Sequence, residues 1–102
     1  MPNDKKVIIF NSDVLTALSD EIRQQMLIEL VKVKEMRAGD IANKFNLHRP
    51  TISHHLQILR RANIVSAEKR GKEMFYSIQY SYVCEEIKKV YELFEKYKNI
   101  HQ

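Results

Sequence analysis

The sequence predicts a mainly α-helical domain that carries one small β-hairpin, and three observations predict it. Apolar residues recur at helical spacing over most of the chain, and only two Gly and two Pro interrupt its 102 residues. One segment, 64–79, switches instead to strand-like alternation with Gly71 near its middle. The length suits a single domain over 1–102, and 44% apolar with 29% charged residues is the balance of a folded chain rather than a disordered one.

The elements follow in order. Residues 5–10, Lys-Lys-Val-Ile-Ile-Phe, form a short apolar run that reads either as an extended arm or as the lead-in to a first helix. Ser12 or Asp13 can cap a helix over 12–18 that carries Val14, Leu15 and Leu18 on one side. Ser19 reads as the next N-cap, with Asp20 and Glu21 suited to the positive end of the helix dipole. Ile22, Met26, Leu27, Leu30 and Val31 keep helical spacing, so this second helix is expected to run to about Lys34. Gly39 and Asp40 open a short third helix through Ile41 to Phe45. Asn46 tolerates the left-handed backbone of a tight turn, and Leu47 plugs it. Pro50 needs no amide proton in a first turn, so a fourth helix begins near His48 or Arg49 and reaches about Ala62. Ile64 and Val65, a Lys69-Arg70-Gly71-Lys72 tip, and alternating Met74, Tyr76 and Ile78 make the hairpin. Ser81 can cap a last helix, 81–100, on which Val83, Ile87, Val90, Tyr91, Phe94 and Tyr97 form one apolar stripe.

Two short helices across a tight turn (39–62), followed by a basic-tipped hairpin (64–79), is the order of a winged helix-turn-helix, here with about five helices and a two-stranded wing. Charge supports that reading once it is divided along the chain. Residues 1–35 sum to −1 and 81–102 to zero, whereas 36–80 carry eight basic side chains against three acidic ones. A basic middle between near-neutral flanks suits a polyanion-facing unit on a structural frame. The fourth helix sharpens it. At about 100° per residue, Ile52, Leu56 and Leu59 share one stripe, while Pro50, His54, Gln57 and Arg61 lie opposite, flanked by Thr51 and Ser53. No acidic residue falls between Arg49 and Asn63. Such a face enters a phosphate-lined groove without repulsion, so Thr51, Ser53, His54 and Gln57 are expected at base edges and Arg49 at a guanine or a phosphate. Lys69, Arg70 and Lys72 are expected to hold the wing to the backbone or the minor groove of double-stranded DNA.

Leu18-Ser19-Asp20-Glu21-Ile22-Arg23, Ala38-Gly39-Asp40-Ile41-Ala42, Arg49-Pro50-Thr51-Ile52-Ser53-His54-His55-Leu56-Gln57-Ile58-Leu59 and Arg70-Gly71-Lys72 through Tyr76 together resemble an ArsR-type repressor over about residues 14–80. Ser53-x-His55-Leu56-x-x-Leu59 with Asp20-x-x-Arg23 is much more specific than a generic helix-turn-helix match. The resemblance implies a homodimer on an inverted repeat, paired through the first and last helices, with His55 partly buried and structural and His54 facing DNA. Val14, Leu15 and Leu18 with Val83, Ile87, Val90, Tyr91, Phe94 and Tyr97 are the expected interface.

Many members of that family respond to a metal, yet the positions matching the Cys-x-Cys pair are Arg37 and Gly39, and the last helix holds no Asp and no His before His101. No metal or cofactor is therefore expected, and adjacent His54 and His55 point too far apart on a helix to share an ion. Cys84 is the single cysteine, so no internal disulfide forms; it reads as a small buried hydrophobe, the alternative being a thiol switch. There is no nucleophile–base pair, paired-carboxylate spacing or Gly-rich phosphate loop, so enzymatic activity is not expected. No apolar run approaches the roughly 20 residues that cross a bilayer, and Met1–Asn11 lacks a signal-peptide core, which points to a cytoplasmic protein without membrane contact. The function expected is that of a DNA-binding transcriptional repressor. The alternatives are a winged-helix protein-interaction module and a metal- or redox-responsive repressor with an atypical site. The sequence leaves any small-molecule effector unidentified.

Overall fold

Helices form where the apolar spacing demands them, and their ends are fixed by local hydrogen bonding. The computed structural model describes residues 10–102, and the reading of residues 5–9 lies outside them. Among the described residues the order is α1 (Ser12–Leu18), α2 (Glu21–Leu30), β1 (Met36–Arg37), α3 (Ala38–Phe45), α4 (Arg49–Arg61), β2 (Val65–Arg70), β3 (Glu73–Ile78) and α5 (Tyr80–His101).

The caps fall one or two residues from where the sequence placed them. Asn11 caps α1, its side-chain oxygen accepting the Asp13 N–H at 2.8 Å, in place of Ser12 or Asp13. Asp20 caps α2 through the Arg23 N–H at 3.0 Å, while Ser19 turns its hydroxyl back to the Thr16 carbonyl. Helix α2 stops at Leu30 instead of Lys34, because the Val33 N–H bonds to the Leu30 carbonyl in a tightened turn and frees the chain to form β1. Helix α3 opens at Ala38 with Arg37 as its N-cap rather than Gly39, and α5 opens at Tyr80 behind Gln79 rather than at Ser81. Asn46 ends α3 in the left-handed region, φ 51°, as expected of it. A second such residue, Asn63 at φ 62°, ends α4: its N–H bonds to the Arg60 carbonyl and the Ile64 N–H to the Leu59 carbonyl, the Schellman closure.

The expected two-stranded wing is a three-stranded antiparallel sheet in the order β1-β3-β2. Strand β1 pairs Met36 with Tyr76 and Arg37 with Phe75, and at two residues it is too short to leave a periodic signal. Strands β2 and β3 pair from Val65–Ile78 to Arg70–Glu73 around a two-residue turn in which Gly71 takes φ 63°, the conformation glycine adopts most cheaply.

The core gathers Val14, Met26, Leu30, Ile41, Ile64 and Val65 around the α4 stripe of Ile52, Leu56 and Leu59, each of those three at most 1% exposed. Leu47 packs against this core as the plug of its turn. Val14, expected at a subunit interface, belongs to the protomer's own core, because it lies on the side of α1 that turns inward. Leu18 and Val83 are likewise half-buried against the core, which leaves Leu15 as the exposed apolar residue of α1. Along α5 only Glu86 is buried, and Ile87, Tyr91, Phe94 and Tyr97 stand exposed, joined by Tyr80 and Ile100. Cys84 is exposed, not buried, since Tyr82 and Val83 are the residues this first turn directs to the core.

Candidate nucleic-acid interface

The candidate surface is the outer side of α4 with the wing beside it. Pro50 stands in the first turn of α4, which contains no acidic residue. Arg49, Pro50, Thr51, Ser53, His54 and Gln57 are all exposed while their neighbours Ile52 and Leu56 are buried, so the amphipathic reading places each of these six on the solvent side. Arg49 and Ser53 meet the wing. They line a cleft of about 360 Å³ with Ala38, Gly39, Lys72, Met74, Tyr76 and Glu73, whose carboxylate accepts from Arg37. Gly39 adjoins the Arg49 guanidinium there: a Cβ on it would stand 3.6 Å away, an ordinary van der Waals contact. Arg61 lies elsewhere, at the far end of α4 in a recess with Asp13 and Thr16 of α1.

The orientation of α4 is held from behind by Arg23, which is 8% exposed. Its guanidinium donates from Nε to the Ala17 carbonyl at 2.8 Å and from Nη2 to the Thr16 carbonyl at 3.2 Å, completing the last turn of α1 with a positive charge at the negative end of the helix. The same group reaches His55 Nδ1 at 3.2 Å with its Nη1. The Arg23 guanidinium has N–H donors and no acceptor lone pair, so Nδ1 is the acceptor of this bond and the neutral imidazole carries its proton on Nε2. Burial pushes the His55 imidazole below its ordinary value, against the opposing pull of Asp20, 3.8 Å away. The Asp20 carboxyl is held below its ordinary range, chiefly by the Arg23 N–H. His55 is thus a structural pin between α2 and α4, while His54 projects outward with its ring centroid 5.9 Å away.

Ion pairing sorts the eight basic side chains of the central segment. Arg37 is taken by Asp40 and Glu73, Lys44 by Glu29, and Arg70 by Glu35 and Glu68. Among the described residues Arg49, Arg60, Arg61, Lys69 and Lys72 have no carboxylate within 4.0 Å, and of these Arg49 and Lys72 are brought together at the cleft. The sequence counts these charges and places Asp40 and Glu68 near Arg37 and Arg70, but it does not show the second partners, Glu73 and Glu35, which lie 36 and 35 residues away. It also gives no sign of Glu86, a buried carboxylate on α5 that accepts the Asn11 N–H at 2.7 Å and Lys89 Nζ at 2.9 Å and so ties α1 to α5. Both contacts hold its carboxyl below the ordinary range, the Lys89 ammonium most. Among the described residues no three His, Cys, Asp or Glu side chains gather into a metal site, and no helix is long and apolar enough to cross a membrane.

Residues 20–67 match the pattern of the bacterial regulatory protein, arsR family. The transcriptional repressor SdpR of Bacillus subtilis is 43% identical over 67 residues, 66% of this chain and 73% of that protein. This chain belongs to the ArsR family. Among solved structures, NolR from Sinorhizobium fredii aligns with a TM-score of 0.64 at 34% identity over 84% of this chain and 82% of its own. An ArsR-like transcriptional regulator from Rhodococcus sp. RHA1 aligns with a TM-score of 0.76 at 25% identity, covering 86% and 82%. The fold is accordingly the winged helix of ArsR-family regulators, and the protein is a DNA-binding transcriptional repressor, with α4 as the second helix of its helix-turn-helix.

Proposed function

We propose that two copies of this ArsR-family chain pair through α1 and α5 and set their α4 helices into successive major grooves of an inverted-repeat operator, where the bound pair excludes polymerase from a promoter. The observation that carries this reading is the outer face of α4, which holds polar and basic side chains without one carboxylate and is flanked by the cations of the wing. Thr51, Ser53, His54 and Gln57 read base edges, since each offers a donor or acceptor on a short or planar side chain near the entering end of the helix. Arg49 takes a guanine or a phosphate, and Lys69 and Lys72 hold backbone phosphates. Pairing is supported by the exposed stripe of Ile87, Tyr91, Phe94 and Tyr97 on α5 and by exposed Leu15 on α1, apolar surface that a solitary protomer leaves in water. Two-fold symmetry then separates the reading helices by one duplex turn, roughly 34 Å. No metal or cofactor enters the mechanism, and its setting is the cytoplasm.

The test is enrichment of bound fragments from the host genome, followed by binding of the enriched duplex and a scrambled one. The wild-type protein should select an imperfect palindrome, and His54→Ala should narrow the ratio between enriched and scrambled duplexes by about tenfold or more. An unchanged ratio removes His54 from the reading set, and failure to enrich any duplex removes the operator.

A further inference from the structure

Arg70 stands in the basic tip of the wing, yet the sheet register turns it away from the reading helix. Residues opposite one another in an antiparallel pair share a face, and neighbours along a strand alternate. Because Phe75 stands opposite both Glu68 and Arg37, and Arg70 opposite Glu73, these side chains share one face. Lys69, Met74 and Tyr76 occupy the other; Met74 and Tyr76 line the cleft with Arg49 and Ser53, Glu73 reaches it from the strand end, and Arg70 does not line it.

On its own face Arg70 is paired with two carboxylates, with 44% of its side chain exposed. Nη1 donates to Glu35 Oε2 at 2.7 Å and Nη2 to Glu35 Oε1, a two-pronged grip on a residue of the α2–β1 connection. Glu68 Oε1 accepts from Nη2 at 2.9 Å and from Nε at 3.2 Å, and the guanidinium carbon lies 4.2 Å from the Phe75 ring centroid. A planar fork stacked on an aromatic face is a geometry that lysine does not reproduce. The grip also falls where the backbone ties the hairpin least. Strand β1 pairs only with Phe75 and Tyr76, so residues 69–74 project beyond it with no sheet bond to the body. Among the described residues the ion pairs joining that tip to the body are Arg70 with Glu35 and Glu73 with Arg37.

We propose that Arg70 is a positioning residue and not a DNA ligand: its grip on Glu35 fixes the angle at which the wing presents Lys69 and Lys72 to the duplex. This rests on the DNA-binding reading and revises one residue of it. The two roles of Arg70 give opposite signs for Glu35→Gln. If Arg70 is a phosphate ligand restrained by Glu35, removing that carboxylate tightens binding; if the pair positions the wing, the same change loosens binding although it deletes a negative charge from a DNA-binding protein.

The experiment measures a fluorescein-labelled duplex of about 30 base pairs, enriched from a random library by the wild-type protein, against wild type, Glu35→Gln, Arg70→Ala, Arg70→Lys and the Glu35→Gln/Arg70→Ala pair. Glu35→Gln and Arg70→Ala should each weaken binding about fivefold, Arg70→Lys should not restore it, and the double variant should be no weaker than either single one. Backbone amide order parameters of residues 68–73, measured without DNA, should fall in Glu35→Gln. Glu35→Gln binding as tightly as wild type or more tightly, rescue by Arg70→Lys, or an equally ordered tip in Glu35→Gln overturns the assignment. If wild type enriches no duplex, the operator reading falls, and the order parameters still decide whether Glu35 holds the wing.

Discussion

Lys72 gives the sharpest quantitative handle on the interface. It sits in the two-residue turn of the wing, exposed, without a carboxylate partner among the described residues, and lines the cleft with Arg49 and Ser53. Replacing it with Ala should leave the fold intact, since no hydrogen bond or packing contact of the core depends on it. Of the five cations without carboxylate partners, Arg49 and Lys72 line the cleft and Lys69 pairs across the hairpin with the cleft-lining Met74, whereas Arg60 and Arg61 lie in the last turn of α4. Three phosphate contacts per protomer make six for a pair, and each contributes about 0.9 to the slope of log K against log salt, so the wild-type slope should be about −5. Lys72→Ala removes two of the six and should make the slope shallower by about 2. The assay is fluorescence anisotropy of an enriched duplex over a series of KCl concentrations, with a scrambled duplex beside it. Both duplexes should show the same change, because phosphates carry no sequence. An unchanged slope in Lys72→Ala would refute the placement of the wing tip on the backbone.

Three other outcomes follow from the geometry. His55 is held with its imidazole below the ordinary value, so the unfolded chain takes up its proton first as pH falls; stability from this group is complete above about pH 6.5 and declines below it. Thermal melting of wild type should therefore drop between pH 7 and pH 5 more steeply than that of His55→Gln, and parallel curves would show that folding does not disfavour the protonated form of His55. Phe94→Glu, at a position 69% exposed in the protomer, should keep its helical circular dichroism while light scattering reports a halved mass; a mass unchanged from wild type would place pairing elsewhere. Asn63→Val should lower unfolding free energy in urea by about 1–2 kcal/mol and Asn63→Gly should be neutral or mildly stabilising, because φ 62° penalises a β-branched side chain and not glycine. Equal stability of the two variants would contradict the left-handed closure of α4.

What the sequence made legible is what periodicity encodes. The two faces of α4 could be assigned before any coordinates because burial of Ile52, Leu56 and Leu59 on one stripe dictates the direction of every residue between them. The turn at Asn46 was equally readable, since few residues accept its backbone. Strand β1 was not, because two residues hold no alternation and their pairing with Phe75 and Tyr76 is a tertiary event. The same limit hid the grip of Arg70 on Glu35: Glu68 lies two residues from it in the chain, but Glu35 lies 35 away. Val14 was misassigned for a related reason. A stripe on a short helix says which side is apolar, but only the packing of α1 on α2 and α4 says which part of that side the protomer covers itself.

The double engagement of Arg23 has a mechanical consequence. One guanidinium closes the tail of α1 and holds the middle of α4, so these two places cannot be displaced independently. A displacement of the last turn of α1 would have to break or carry with it the Arg23 contact to His55.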